Sequence, residues 1–190
     1  MKGLLFGNNV DRLAREMQRG NERAAADLYQ ALVGKVFGFC LNRVGNKALA
    51  EDLAQDIFLK LVDNIETFDP KKGSFSAWFW KMARNTLIDY YRRQHEIPFA
   101  DLEGARAPER IAADDVEYDS GRVEARQLIG DIIKTFTVEE QELFRLRYVV
   151  DLSYRDIAKI TNKPEGALRV AVSRLSRKLR GKYNAPENHV

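Results

Sequence analysis

Apolar residues recur at three- and four-residue steps along most of this chain, the period of helices that bury one face. The stretch "DRLAREMQRGNERAAADLYQALVGKVFGFCLNRV" keeps that spacing from Asp11 to Val44. In "NKALAEDLAQDIFLKLVDNI", Leu49, Leu53, Ile57 and Leu61 stand four residues apart and form an amphipathic stripe. "FDPKKGS" interrupts the period with Asp-Pro and glycine, a loop signal, and helix resumes at "SFSAWFWKMARNTLIDYYRRQ". From His95 to about Gly121 the apolar period disappears among prolines, glycines and acids, which reads as a linker. Helix returns at "RVEARQLIGDIIKTF", with three shorter helices after it, and the alternation expected of strands is missing throughout. The pattern predicts an all-α protein of two small helical domains. Residues 1–94 form the first and 126–183 the second, joined by a flexible acidic linker, 95–125, and followed by a tail, 184–190.

Composition narrows the classes. With 190 residues, 45% hydrophobic and 31% charged, the chain can bury a core and is not globally disordered. No run of about 18 apolar residues occurs, and the apolar piece in "MKGLLFGNNV" is too short for a signal peptide. A cytoplasmic protein with no membrane contact of its own is expected. Cys40 is the single cysteine and sits in an apolar run, where it should behave as a small buried hydrophobe. His95 and His189 are the only histidines, so neither a disulfide nor a Cys/His metal cluster can form within the chain. No glycine loop for phosphates and no Ser/His/Asp set stands out, so neither cofactor nor enzymatic activity is expected.

Charge adds a direction. Residues 1–94 carry 15 cations against 11 anions, 95–125 carry 3 against 9, and 152–183 carry 9 against 2. Two basic blocks flank an acidic one, which suggests two polyanion-binding surfaces and a connector that avoids them.

The C-terminal stretch that begins "TVEEQELF" holds the most specific motif. Thr137 followed by Glu140 is a capping box, and Ser153 with Asp156 offers a similar start to "YRDIAKI". "TNKP" makes a short turn, with Pro164 suited to the first position of the next helix. On that helix Leu168, Val172, Leu175 and Leu179 share one line, the buried stripe. Arg169, Val170, Ser173, Arg174 and Arg177 face outward, a set that suits a major groove: guanidiniums for guanine, a hydroxyl, and a methyl surface for thymine. The arrangement is a helix-turn-helix with its second helix as reader.

Wound as a helix, Phe75–Arg93 places Phe79, Met82, Ala83, Thr86, Leu87 and Tyr90 on a core side. Lys81, Arg84, Asn85, Ile88, Asp89 and Arg92 fall opposite, with Trp80 and Tyr91 on a flank. Trp78 lands near Lys81 on the polar side. A tryptophan among cations is a stacking platform for an unpaired base. Lys81, Arg84, Arg92 and Arg93 would take phosphates, Asn85 a base edge, and Lys71 and Lys72 lie on the loop ahead. The alternative is a tryptophan that packs on a neighbouring element.

These residues together resemble the extracytoplasmic-function (ECF) sigma factors, the small two-domain class of bacterial RNA polymerase sigma subunits. The likeness covers about residues 22–94 and 126–182. "AEDLAQDIFLKL" looks like the family's polymerase-binding helix, which implies core-enzyme docking by Asp52, Gln55, Asp56 and Phe58. "FDPKKGSFSAWFWKMARNTLIDYYRR" is similar to the promoter-melting segment, with Asn85-Thr86 on the family's "NT" pair. The likeness implies single-stranded −10 contacts by Lys71, Lys72, Phe75, Trp78, Lys81, Arg84, Asn85, Arg92 and Arg93. "LSYRDIAKITNKPEGALRVAVSRL" looks like the −35 duplex reader. It departs from the usual pattern at Ala167–Ala171, which leaves the −35 sequence open and the role of the helix intact. The implied partners are bacterial core RNA polymerase and promoter DNA, and family members are often held by an anti-sigma factor. The rival reading is a free-standing helix-turn-helix regulator.

Overall fold

The structure, a computed structural model, describes residues 2–95, 133 and 135–183. Four helices make the first half: α1 (Lys2–Gln18), α2 (Glu22–Val44), α3 (Lys47–Asn64) and α4 (Phe75–His95). Local chemistry sets their ends. Gly20 takes φ +81°, a left-handed value that only glycine adopts without strain, and the Asn21 side chain then accepts from Ala24 N at 3.1 Å to start α2. That break lies inside the continuous apolar period of residues 11–44. Gly45, at φ 68°, closes α2 by donating its N–H to Leu41 O at 2.9 Å, and Asn46 caps α3 through Leu49 N. A 3-10 turn, Ile65–Thr67, leads from α3 into the Lys71–Lys72 loop. The loop ends where Asp11 of α1 accepts from Phe75 N at 2.7 Å and Ser74 Oγ accepts from Ala77 N at 3.2 Å.

α2 is long and apolar enough by composition to cross a membrane. Here its Leu28, Leu32, Val36, Phe39 and Cys40 are buried in the protein core, so its apolarity is used for packing. Burial pushes the Cys40 thiol up to about 12, in keeping with a small hydrophobe.

The second half comprises α5 (Val138–Phe144), a π-turn (Arg145–Val149), α6 (Tyr154–Thr161) and α7 (Glu165–Tyr183). The capping box forms as expected: Thr137 Oγ1 accepts from Glu140 N at 3.2 Å and Glu140 Oε2 from Thr137 N at 3.0 Å. Ser153 caps α6 by accepting from Asp156 N at 3.1 Å, and Asn162, at φ 55°, turns the chain into α7. Pro164 stands one residue before α7 and contributes its carbonyl to Leu168 N at 3.1 Å.

All described residues are helix, turn or irregular, which makes the protein all-α. The linker, the tail and most of "RVEARQLIGDIIKTF" lie outside the described residues. Where the sequence suggests two bodies on a tether, the described halves pack together. One buried cluster runs from Val10 and Leu13 of α1 through Phe39, Ile57 and Trp80 to Leu143, Leu146, Ile157 and Val172. A smaller one joins Ile133, Phe136 and Leu175.

Candidate nucleic-acid interface

α4 buries more of its surface than a one-sided wheel predicts. Phe75, Phe79, Trp80, Ala83 and Leu87 are all at most 1% exposed, and Ile88 and Tyr91 are buried as well. The physical reason is that α1, α3 and α6 all border this helix, so its apolar stripe is wider than that of a surface helix. Trp80, placed on a flank, is fully enclosed with its ring edge-on to Phe39 at 5.3 Å. Ile88, placed among polar residues, is also inside. Phe75 requires the same correction. Its ring stacks on Phe79 at 5.5 Å and it is 0% exposed, so it supports the site from within and presents nothing to DNA in this conformation.

Trp78 is half-buried. Its ring lies 5.7 Å from those of both Phe68 and Phe75, so it packs on neighbours and still reaches the surface. There it lines an open cavity of about 270 Å³ with Lys60, Lys81, Met82, Asn85 and Thr86. Lys60 Nζ donates to Thr86 Oγ1 at 3.1 Å, which holds its ammonium at the cavity wall. Lys60 comes from α3 and was not foreseen; its position on the flank of the Ile57–Leu61 stripe was the available signal. Lys81 and Asn85 line the cavity from exposed positions, and Lys71 and Lys72 are exposed on the loop ahead of α4. Asp69 orders that loop by accepting from Lys71 N at 2.9 Å. Arg92 pairs with Asp89 at 3.4 Å and Arg93 is exposed farther along α4. Arg84 stands apart from this group: it is turned to the second half of the chain, where its Nε donates to Glu142 at 3.1 Å.

On α7 the predicted faces are present. Leu168, Val172 and Leu175 are buried, while Arg169, Val170, Ser173, Arg174 and Arg177 are exposed. Arg169 is braced by Glu165 at 2.5 Å and lies 4.7 Å over the Tyr154 ring, an aromatic contact that ties the reader helix to α6.

A second concave surface runs between α2 and α3. Its cavity of about 710 Å³ is lined by Tyr29, Phe37, Gln55, Phe58, Leu59 and Val62, among others. Leu59 and Val62 are 62% and 60% exposed, unusual for aliphatic side chains grouped with Tyr29 at 44%. Asp52, Gln55 and Asp56 are exposed along the same helix. Phe58 packs half-buried, 4.7 Å from Tyr29. No grouping of acidic, His and Cys side chains that could hold a metal occurs among the described residues.

This pairing of a helix-turn-helix with an aromatic, cationic helical surface agrees with family comparison. Residues 28–97 match sigma-70 region 2 and residues 126–179 match sigma-70 region 4. The ECF RNA polymerase sigma factor RpoE of Cereibacter sphaeroides is 30% identical over 159 residues, covering 82% of this chain and 86% of the relative. The ECF sigma factor SigW of Bacillus subtilis is 28% identical over 172 residues, 87% of this chain and 91% of its own. Two solved structures share the fold: CnrH in complex with the cytosolic domain of CnrY, and the sigma factor RpoE of Bartonella quintana with the anti-sigma factor NepR. Their TM-scores are 0.67 and 0.65, each at 20% identity, and they cover 94% and 85% of this chain and 99% and 98% of their own. The chain belongs to the ECF RNA polymerase sigma factors. It binds bacterial core polymerase, directs it to specific promoters through −10 and −35 contacts, and promotes initiation.

Proposed function

We propose that the Trp78 cavity receives an unpaired base of the −10 strand, while Lys81, Asn85, Lys60 and the Lys71–Lys72 loop hold its edge and the flanking phosphates. The observation that carries this is a half-exposed indole backed by two other rings at the mouth of a cationic cavity. Aromatic backing fixes the ring plane before DNA arrives, and stacking on it is worth about 1–3 kcal/mol per base whatever the base. The outward face of α7 reads the −35 duplex through Arg169, Val170, Ser173, Arg174 and Arg177. The groove between α2 and α3, lined by Gln55 and Phe58, docks the core enzyme together with Asp52 and Asp56, exposed on α3 outside the groove. The protein performs no covalent chemistry itself; it supplies position and strand capture to the polymerase in the cytoplasm. The CnrH and Bartonella RpoE structures contain CnrY and the anti-sigma factor NepR, and an anti-sigma protein is a partner for this chain too.

The test is Trp78→Ala. Binding of a single-stranded −10 oligonucleotide should weaken by about five- to a hundredfold, the range set by one stacked base. Duplex binding by α7 should be unchanged. Equal single-strand affinity in the two proteins would remove Trp78 from the site.

A further inference from the structure

Two side chains of α1 reach the residues that back Trp78. Asp11 and Gln18 stand seven positions apart, about two helical turns, so both project from one face of α1. Ala14 lies between them on that face and is fully buried, as are Val10 and Leu13 beside it, so this face is packed against the core. Gln18 Nε2 donates to Ile65 O at 2.8 Å and to Phe68 O at 2.7 Å. Asp11 Oδ1 accepts from Phe75 N at 2.7 Å, one of the amides that a helix start leaves without a partner inside the helix.

These bonds hold the main chain of Phe68 and Phe75, the two residues whose rings stand 5.7 Å from the Trp78 ring. The same two rings meet edge-on at 5.5 Å. Both are buried in a close-packed interior, so fixing their main chain fixes the rings. Between the two anchors runs the loop that carries Lys71 and Lys72, and α1 therefore ties down both of its ends. Neither Asp11 nor Gln18 lines the Trp78 cavity. Both precede residues 28–97, the segment that matches sigma-70 region 2.

We infer that Asp11 and Gln18 are positioning residues for capture of the −10 strand. Through Phe75 and Phe68 they set the plane of the Trp78 ring on which the unpaired base stacks, and they hold the cationic loop in register with it. The inference rests on the −10 reading above. The residue types suit the task. A glutamine amide has two N–H donors, one for each carbonyl, whereas a glutamate would present none. A carboxylate at position 11 accepts from the first amide of α4 and also favours the positive end of that helix. A ring held in place before binding spares the strand the cost of ordering it, which is how a residue outside the cavity can change affinity.

The experiment titrates the full chain with a fluorescent single-stranded −10 oligonucleotide, at a temperature where melting curves show every variant folded. Gln18→Met keeps the side-chain volume and removes the donors, and Asp11→Ala removes the acceptor. Each should weaken strand binding by about three- to tenfold, the scale of ordering one side chain on binding. Neither should lose anything further when placed in a Trp78→Ala background, because both act through that ring. Asp11→Asn keeps an oxygen for Phe75 N and should recover most of the affinity lost in Asp11→Ala. Binding of a −35 duplex should be the same in all of them. An equal loss with and without Trp78 would overturn the positioning role and leave a general structural one. If Trp78→Ala weakens binding while Gln18→Met and Asp11→Ala bind like the parent, positioning by α1 is overturned and the −10 site stands. If Trp78→Ala has no effect, the −10 reading has failed and the inference falls with it.

Discussion

Leu59→Ala separates docking from folding. Leu59 is 62% exposed on the α2–α3 groove, so the protein gains little from it until something covers it. Full burial of a leucine is worth about 1.5–3 kcal/mol. More than half of the side chain remains to be covered and alanine keeps the Cβ, so truncation should forfeit about 1 kcal/mol of docking energy, about a fivefold rise in Kd. Folding stability should change by no more than about 0.5 kcal/mol, as for other exposed positions. Ile57, two residues earlier on the same helix, is 0% exposed. Ile57→Ala should cost about 2–5 kcal/mol of stability by leaving a cavity, and serves as the folding control. The assay is anisotropy titration of labelled protein with bacterial core polymerase, paired with urea denaturation. An unchanged Kd for Leu59→Ala would take the groove out of the docking surface. A stability loss matching that of Ile57→Ala would mean that the side chain is not free as the structure has it.

Two other predictions follow from the second half. Arg174→Ala should weaken −35 duplex binding by about 1–3 kcal/mol if that guanidinium reads a guanine edge, and a duplex titration at fixed salt giving equal affinity would refute it. Burial alone would raise the Glu140 carboxyl, but the hydrogen bond from Lys178 and the Thr137 amide together bring it below its usual range. A lowered carboxylate stabilises the fold above its unfolded pKa of about 4.3 and loses that contribution as pH falls further. Glu140→Gln should therefore be less stable than the parent at pH 7, with the difference closing on acidification below about pH 4. Chemical denaturation at several pH values checks this, and a difference independent of pH would contradict it.

What the sequence conveyed and what it concealed divide along a physical line. The Thr137–Glu140 box joins residues three apart and depends on local geometry alone, so it was legible. The faces of α7 were legible because its buried side, Leu168 to Leu175, lies along one stripe. α4 is bordered by several elements, so a single stripe misplaced Trp80 and Ile88, and Phe75, a −10 contact by family likeness, lies inside the core. The Gly20-Asn21 break was present as a stop and start signal, but the apolar period ran through it. Glu142 was invisible for a different reason. It is one of three acids in "TVEEQELF", and its partners Arg43 and Arg84 are 99 and 58 residues away. Only the packing of the two halves selects it. The same packing replaces the expected separation, because Leu143, Leu146 and Ile157 bury apolar surface against the first half.

Run-off transcription by bacterial core polymerase on a pool of genomic promoter fragments tests the central claim most directly. With this protein, discrete new transcripts should appear that share −10 and −35 elements, and Trp78→Ala should reduce them while core docking persists. No protein-dependent transcript, together with sequence-specific duplex binding in the absence of core enzyme, would contradict the account and describe a free-standing regulator instead.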